Sequence, residues 1–274
     1  MSAPPGVQPA MLQPSRGLAV YSMWLRELVR FWRQKGRFAG ALGTPLLFWL
    51  VLGAGFGDSF RSAPAGAPTG GSADPGYLVF FFPGIVVLTV LFTAIYSTIS
   101  VIEDRQEGFL QGVLVAPVSR GVVVLGKMLG GTTLAWLQGA LILLAAPLVG
   151  IHPGLVGTLS ALLLLLLIAF ALTGMGMVIA WVMDSTGGFH AIMNLLLMPM
   201  WMLSGAVFPY DAAHRVIRIG MVVNPLSYGV DGLRHALGVS GAHTAYAWCW
   251  GLSGTFAAVM LVAAVGIARR RDGA

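Results

Sequence analysis

Long uncharged stretches alternate along the chain with short segments that carry nearly all of its charge. A helix that crosses a hydrocarbon layer of ~30 Å needs about 20 apolar residues with every backbone polar group bonded internally. The first such run extends from Phe38 to Gly57 and the second from Tyr77 to Ile102. Met128 to Met183 carries no formal charge and is far too long for one span; His152-Pro153-Gly154 breaks it into two helices joined by a tight turn. Two further runs cover Gly188 to Phe208 and Thr244 to Ala268. The pattern predicts an all-α polytopic membrane protein with six spans in residues 38–268.

A different periodicity occupies residues 17–37. Arg26, Arg30, Arg33 and Arg37 fall at i, i+4, i+7 and i+11, with Tyr21, Leu25, Leu28 and Trp32 on the opposite side. This spacing predicts an amphipathic helix in the membrane interface, its aromatics at the acyl boundary and its arginines among lipid phosphates. Residues 1–16 are rich in Pro, Ala and Gln and are expected to be a disordered tail rather than a signal peptide. Residues 58–76 read as a small-residue loop. Residues 209–243 are moderately apolar yet contain Asp211, Arg215, Arg218, Asp231 and Arg234, and are split by Asn224-Pro225. They predict two short amphipathic helices on the external side, dipping into the bilayer edge.

Composition sharpens the class. The 274 residues are 57% hydrophobic and 9% charged, with a mean hydropathy of +0.83. So few charges cannot solvate a globular surface, and such high hydropathy excludes disorder. The net charge of +6 could suggest nucleic acid, but in a membrane protein the placement of Lys and Arg matters more than their sum. Residues 1–37, the segment after the second span and the tail 269–274 hold twelve of them; the opposite face holds Arg61, Arg215, Arg218 and Arg234. The positive-inside rule therefore places both termini in the cytoplasm. No nucleic-acid partner is expected. The lone Cys249 excludes an internal disulfide.

Two motif matches do not carry chemistry. Gly121 to Lys127 satisfies G-x-x-x-x-G-K, but Met128 stands where a phosphate loop needs Ser or Thr, and no strand precedes it. Gly238-Val-Ser240-Gly241 and Gly251-Leu-Ser253-Gly254 resemble a serine-protease motif but lack a suitably placed histidine base. No metal-ligand cluster is evident, and ion-driven transport usually leaves intramembrane carboxylates, which are lacking here. Gln138 and Asn194 are amides inside predicted spans. With Met198 they are the candidates for a substrate path, helix packing being the alternative for both amides.

The informative segment is 103–120, EDRQEGFLQGVLVAPVSR. Glu103, Asp104, Arg105 and Glu107 cluster at its start; Phe109, Leu110, Val113 and Leu114 form an apolar stripe, and Pro117 ends it. A short helix with an acidic entry and an apolar face, outside the membrane, suits a groove on a partner protein.

The run Glu107-Gly108, apolar helix, Ala116-Pro117-Val118-Ser119-Arg120 resembles the signature of type-2 ATP-binding-cassette transporter permeases, in the branch of daunorubicin-resistance and nodulation exporters. Leu203 to Pro209 and Asn224 to Arg234 are similar to later motifs of that family. Phe109-Leu110-Gln111 departs from its commoner Thr-Leu-Glu. The resemblance implies that residues 17–35 form a connecting helix and that Glu103 to Pro117 form a coupling helix seated on a separate ATPase. It implies that residues 209–238 form re-entrant helices capping the exit path, with Pro209, Asn224, Pro225, Tyr228, Asp231 and Arg234 as gate candidates. It further implies two ATPase copies that hold ATP and magnesium, a second permease chain in a homodimer, and export across a bacterial inner membrane. This chain would bind no cofactor itself. A secondary carrier or channel working without an ATPase is the competing reading.

Overall fold

The computed structural model describes residues 15–33, 36, 40, 43–51, 76–108 and 119–270. Among these, eight α-helices follow one another: α1 Arg16–Arg33, α2 Tyr77–Gln106, α3 Arg120–Leu143, α4 Leu155–Val182, α5 Thr186–Trp201, α6 Arg215–Val223, α7 Pro225–Leu237 and α8 Tyr246–Arg270. A 3₁₀ turn, Ala146–Val149, follows α3, and a π turn, Met202–Ala206, extends α5. Residues 43–51 are also helical; the remainder of the first expected span and the loop 58–75 lie outside the described residues.

Five helices among the described residues are long and apolar enough to cross a membrane. α2 is the central mast, with almost every residue from Tyr77 to Ile102 buried. α3, α4, α5 and α7 pack around it, and α8 closes the far side against α4 and α7. The outer faces of α3, α4 and α8 carry exposed leucines and valines such as Leu137, Leu163 and Val262, the surface a hydrocarbon solvent favours.

Helix ends run past the expected spans at charged residues. α2 continues through Glu103, Asp104, Arg105 and Gln106, residues assigned from sequence to the following loop. α3 begins at Arg120 rather than Met128, so Lys127 is a helix residue and is buried. α8 runs through Arg270, two residues into the expected basic tail. In each case an apolar-run criterion stops at the first charge, whereas the backbone hydrogen-bond ladder does not. The break at His152-Pro153-Gly154 is as expected: Gly150 and Gly154 have φ of +86° and +41°, and α4 starts at Leu155. The split at Asn224-Pro225 also holds. The Asn224 side chain accepts from Leu226 N at 3.0 Å, and Pro225 takes the first helical position.

Candidate functional site

The helix ends at Gln106, Arg120, Val182, Thr186 and Arg270 gather on one side of the bundle, together with α1. This is the basic face. α1 lies along the start of α3 because two glycines one turn apart leave a trough for it. A Cβ on Gly126 would stand 2.5 Å from Met23 Cβ, and one on Gly130 2.6 Å from Glu27 Cβ. Trp24 Nε1 then donates to Thr133 Oγ1 at 3.1 Å. The G-x-x-x-x-G-K stretch is therefore continuous helix, its second glycine seating α1 and its lysine turned inward.

Lys127 is the centre of a buried charge network. Its Nζ donates to Glu27 Oε1 at 2.7 Å, Asp104 Oδ2 at 2.6 Å and Ser100 Oγ at 3.2 Å. Arg26 grips Asp104 with both terminal nitrogens, at 2.7 and 2.8 Å. Arg30 bridges Asp104 and Glu103, each at 2.7 Å, and stands 4.0 Å from Glu107. Three cations thus meet three carboxylates, the condition for burying charge at tolerable cost. Hydrogen bonding to the Asp104 carboxylate raises the Arg26 guanidinium further above its already high ordinary pKa, keeping it cationic throughout the physiological range.

This geometry revises the expected role of α1. Arg26 and Arg30 turn inward onto carboxylates instead of outward to lipid phosphates, because Glu103 and Asp104 extend α2 and arrive beneath them. The exposed stripe is Leu18, Tyr21, Leu25, Val29 and Trp32, with Arg33 beside it. Glu27 and Phe31 are buried. Glu103 and Asp104 are likewise paired within the chain. Glu107 is exposed and caps α2, and Gly108, at φ +75°, turns the chain toward residues 109–118. Phe109, Leu110, Leu114 and Pro117 lie outside the described residues.

Arg105 reaches the turn between α4 and α5. Its Nη1 donates to Met183 O at 3.0 Å and pairs with Asp184 Oδ1 at 3.2 Å, its Nη2 donates to Trp181 O at 3.2 Å, and its guanidinium lies 5.5 Å from the Trp181 ring. Gln106 Nε2 donates to Asp184 O at 3.0 Å.

At the opposite face, a cap of α6, α7 and the segment 238–245 closes over the end of α5. Arg234 is buried: its Nη2 donates to Gly205 O at 2.6 Å, its Nη1 pairs with Asp231 Oδ1 at 3.5 Å, and its guanidinium lies 4.3 Å from the centre of the Phe80 ring. Burial lowers it to about 10, opposed by Asp231, so it remains charged at neutral pH. Burial alone would raise Asp231, but contact with His243 and Arg234 holds it below the ordinary 3.8. Asp231 Oδ2 lies 2.8 Å from His243 Nδ1 and accepts from Thr244 N at 3.1 Å. Tyr210 stacks on His243 at 4.1 Å, and Arg218 lies 5.3 Å from the Tyr210 ring. Tyr228 donates to Val222 O at 2.6 Å, and Pro209 sits half-buried just after Val207, whose carbonyl accepts from Tyr77 at 3.0 Å.

The three substrate-path candidates separate. Gln138 is buried on α3, its side-chain oxygen accepting from the Thr93 hydroxyl of α2. Asn194 is exposed and Met198 half-exposed on α5. Glu27 and Lys127 are the residues sequence reasoning missed. Their signals were a lone acid inside an arginine-rich helix and a lone lysine at the mouth of an apolar run.

A bundle of membrane-length helices, with a charge network at one end and a hydrogen-bonded cap at the other, is the architecture of a multi-pass membrane protein. Residues 19–237 match the family described as ABC-2 type transporter, and the chain belongs to that family. It is therefore the membrane permease of an ATP-binding-cassette transporter. Nodulation protein J of Rhizobium leguminosarum bv. trifolii is 29% identical over 225 residues, covering 81% of this chain and 82% of that one. Nodulation protein J of Bradyrhizobium diazoefficiens is 24% identical over 266 residues, covering 96% and 97%. A transport permease named ycf38 from Cyanophora paradoxa is 29% identical over 190 residues, 69% of this chain; the match spans only 63% of that relative's length.

Proposed function

We propose that this chain is the transmembrane subunit of an ATP-driven exporter, working as a homodimer with two copies of a separate ATPase that hold ATP and magnesium. It sits in a bacterial inner membrane with both termini cytoplasmic, so the basic face is the ATPase face. Its substrate is hydrophobic or amphipathic: a drug, a lipid or a lipid-linked glycan. Asn194 and Met198, on the open side of α5, line the path, and the cap with Asp231 and Arg234 is the external gate.

The observation that carries this reading is the charge network at the root of the 109–118 segment. An ordinary loop needs no buried anchorage, yet the residues leading into this one are bound to α1, α3 and the α4–α5 turn through Asp104, Glu103 and Arg105. Force applied to residues 109–118 is thereby delivered to four elements at once. ATP binding draws the ATPases together, the coupling segment follows, and the paired permeases switch access from inside to outside. Only a partner that interacts differently with the two states drives such a change.

The test is affinity purification from native membranes. An ATP-binding subunit should accompany the wild type in stoichiometric amount and be lost from the Phe109→Asp/Leu110→Asp variant. Transport by the purified chain in ATP-free vesicles would sink the assignment in favour of a secondary carrier.

A further inference from the structure

We propose that α5 is a stiff rod that carries movement from the coupling segment to the external gate, with Arg105 as the positioning residue at one end and Asn224, Ser227 and Arg234 at the other. The inference rests on the exporter reading and adds a route through which the gate responds.

The segments flanking α5 are held by side-chain donors on backbone carbonyls. Below, Arg105 binds the carbonyls of Trp181, at the end of α4, and Met183, and Gln106 binds that of Asp184, so the grip falls on the short turn that leads into α5 at Thr186. Above, the last carbonyls of a helix lack partners within it, and here the cap supplies them. Asn224 Nδ2 donates to Met200 O at 2.6 Å, Ser227 Oγ to Leu203 O at 3.2 Å and Arg234 Nη2 to Gly205 O at 2.6 Å. Gly205 has φ +76°, so the helix stops there and its final carbonyl turns toward Arg234.

Between the grips α5 is held along one edge, where Trp201 Nε1 donates to Gly84 O of α2 at 2.8 Å. Its buried residues are Phe189, Met193, Leu197 and Trp201, one line at four-residue spacing, while Leu195 and Leu196 are 79% and 42% exposed. The helix has 16 residues, about 24 Å, with Pro199 in its last turn; below that proline it touches its neighbours along one edge, and held at both tips it can shift as a unit, the small sliding movement that packed helices allow. Spatial continuity alone does not establish coupling; stiffness is the property that separates a rod from a mere spacer.

The experiment places one reporter on the gate and softens the rod without touching either grip. Val216, at the start of α6, is 71% exposed; Val216→Cys is labelled by an impermeant maleimide in vesicles of the full complex, with the buried Cys249 silent. The labelling rate is compared between nucleotide-free and nucleotide-trapped complexes, in the parent, in Leu195→Gly/Leu196→Gly and in Leu195→Ala/Leu196→Ala. Alanine removes the same side chains but preserves the helix, whereas paired glycines loosen it. The proposal expects a several-fold nucleotide effect in the parent and the alanine variant, and a ratio near unity in the glycine variant while the ATPase still co-purifies. A full nucleotide effect in the glycine variant, or equal loss in both variants, would overturn it. Absence of a co-purifying ATPase or of any nucleotide effect in the parent would instead refute the exporter reading on which it stands.

Discussion

Replacing Lys127 with methionine tests the charge network directly. The substitution keeps the length of the side chain and removes its charge. Asp104 retains three hydrogen bonds from Arg26 and Arg30, but Glu27, 5% exposed, loses the lysine and is left as a buried carboxylate. Removing one partner of a buried pair costs about 3–5 kcal/mol, chiefly through the charge left behind. Glu27→Gln/Lys127→Met removes one charge of each sign and leaves the α1–α2 clamp intact; matched removal of a buried pair is close to neutral, within about 1 kcal/mol. In detergent, the single variant should lose on the order of 10 °C in its apparent Tm, read by size-exclusion fluorescence after heating, and the double variant should recover most of it. Equal destabilisation of the two, or a single variant as stable as the parent, would show that Lys127 is solvated and that the network does not exist.

Gly130→Leu should lift α1 from its trough, since even a Cβ there collides with Glu27 (2.6 Å); limited proteolysis should release the first forty or so residues while the remaining spans stay associated. Gly205→Ala puts a side chain at φ +76° with Met221 Cε 3.0 Å from the new Cβ, and should cost about 1–2 kcal/mol in thermal stability. Asp231 is held below 3.8 in the folded chain, so the stability it contributes is present above that pH and is lost as pH falls through its folded value. Amide exchange at His243 and Thr244 should accelerate across that acid step in the parent, relative to its intrinsic rate, and show no step in Asp231→Asn.

The spans were legible because hydrocarbon length is a local property, readable from twenty consecutive residues. So were the split at Asn224-Pro225, where a capping side chain and an N1 proline are adjacent, and the break before Leu155. The charge network was not legible for the converse reason. Glu27 and Lys127 are a hundred positions apart, and no periodicity relates them. Seen alone, each charge ended an apolar run or decorated an amphipathic face, so Lys127 was assigned to a loop and Arg26 and Arg30 to lipid. The grip of Arg105 was invisible likewise, because its partners are carbonyls, which every residue has. What local pattern did offer was the pairing of Gly126 with Gly130, a trough sized for a helix that the sequence did not identify.

The charge network also bears on how the chain is made. Synthesis proceeds from the amino terminus, so Glu27 emerges a hundred residues before Lys127 and Arg26 seventy-eight before Asp104. At ribosomal speeds of 5–20 residues per second this is a wait of roughly 5–20 s. During it, α1 carries arginines whose Asp104 partner has not yet been made and a row of Leu18, Tyr21, Leu25, Val29 and Trp32, with no trough yet built to receive it. An anionic lipid surface accommodates both features. Arginines that end folded against carboxylates would meet opposite charge at such a surface until Asp104 and α3 have been made.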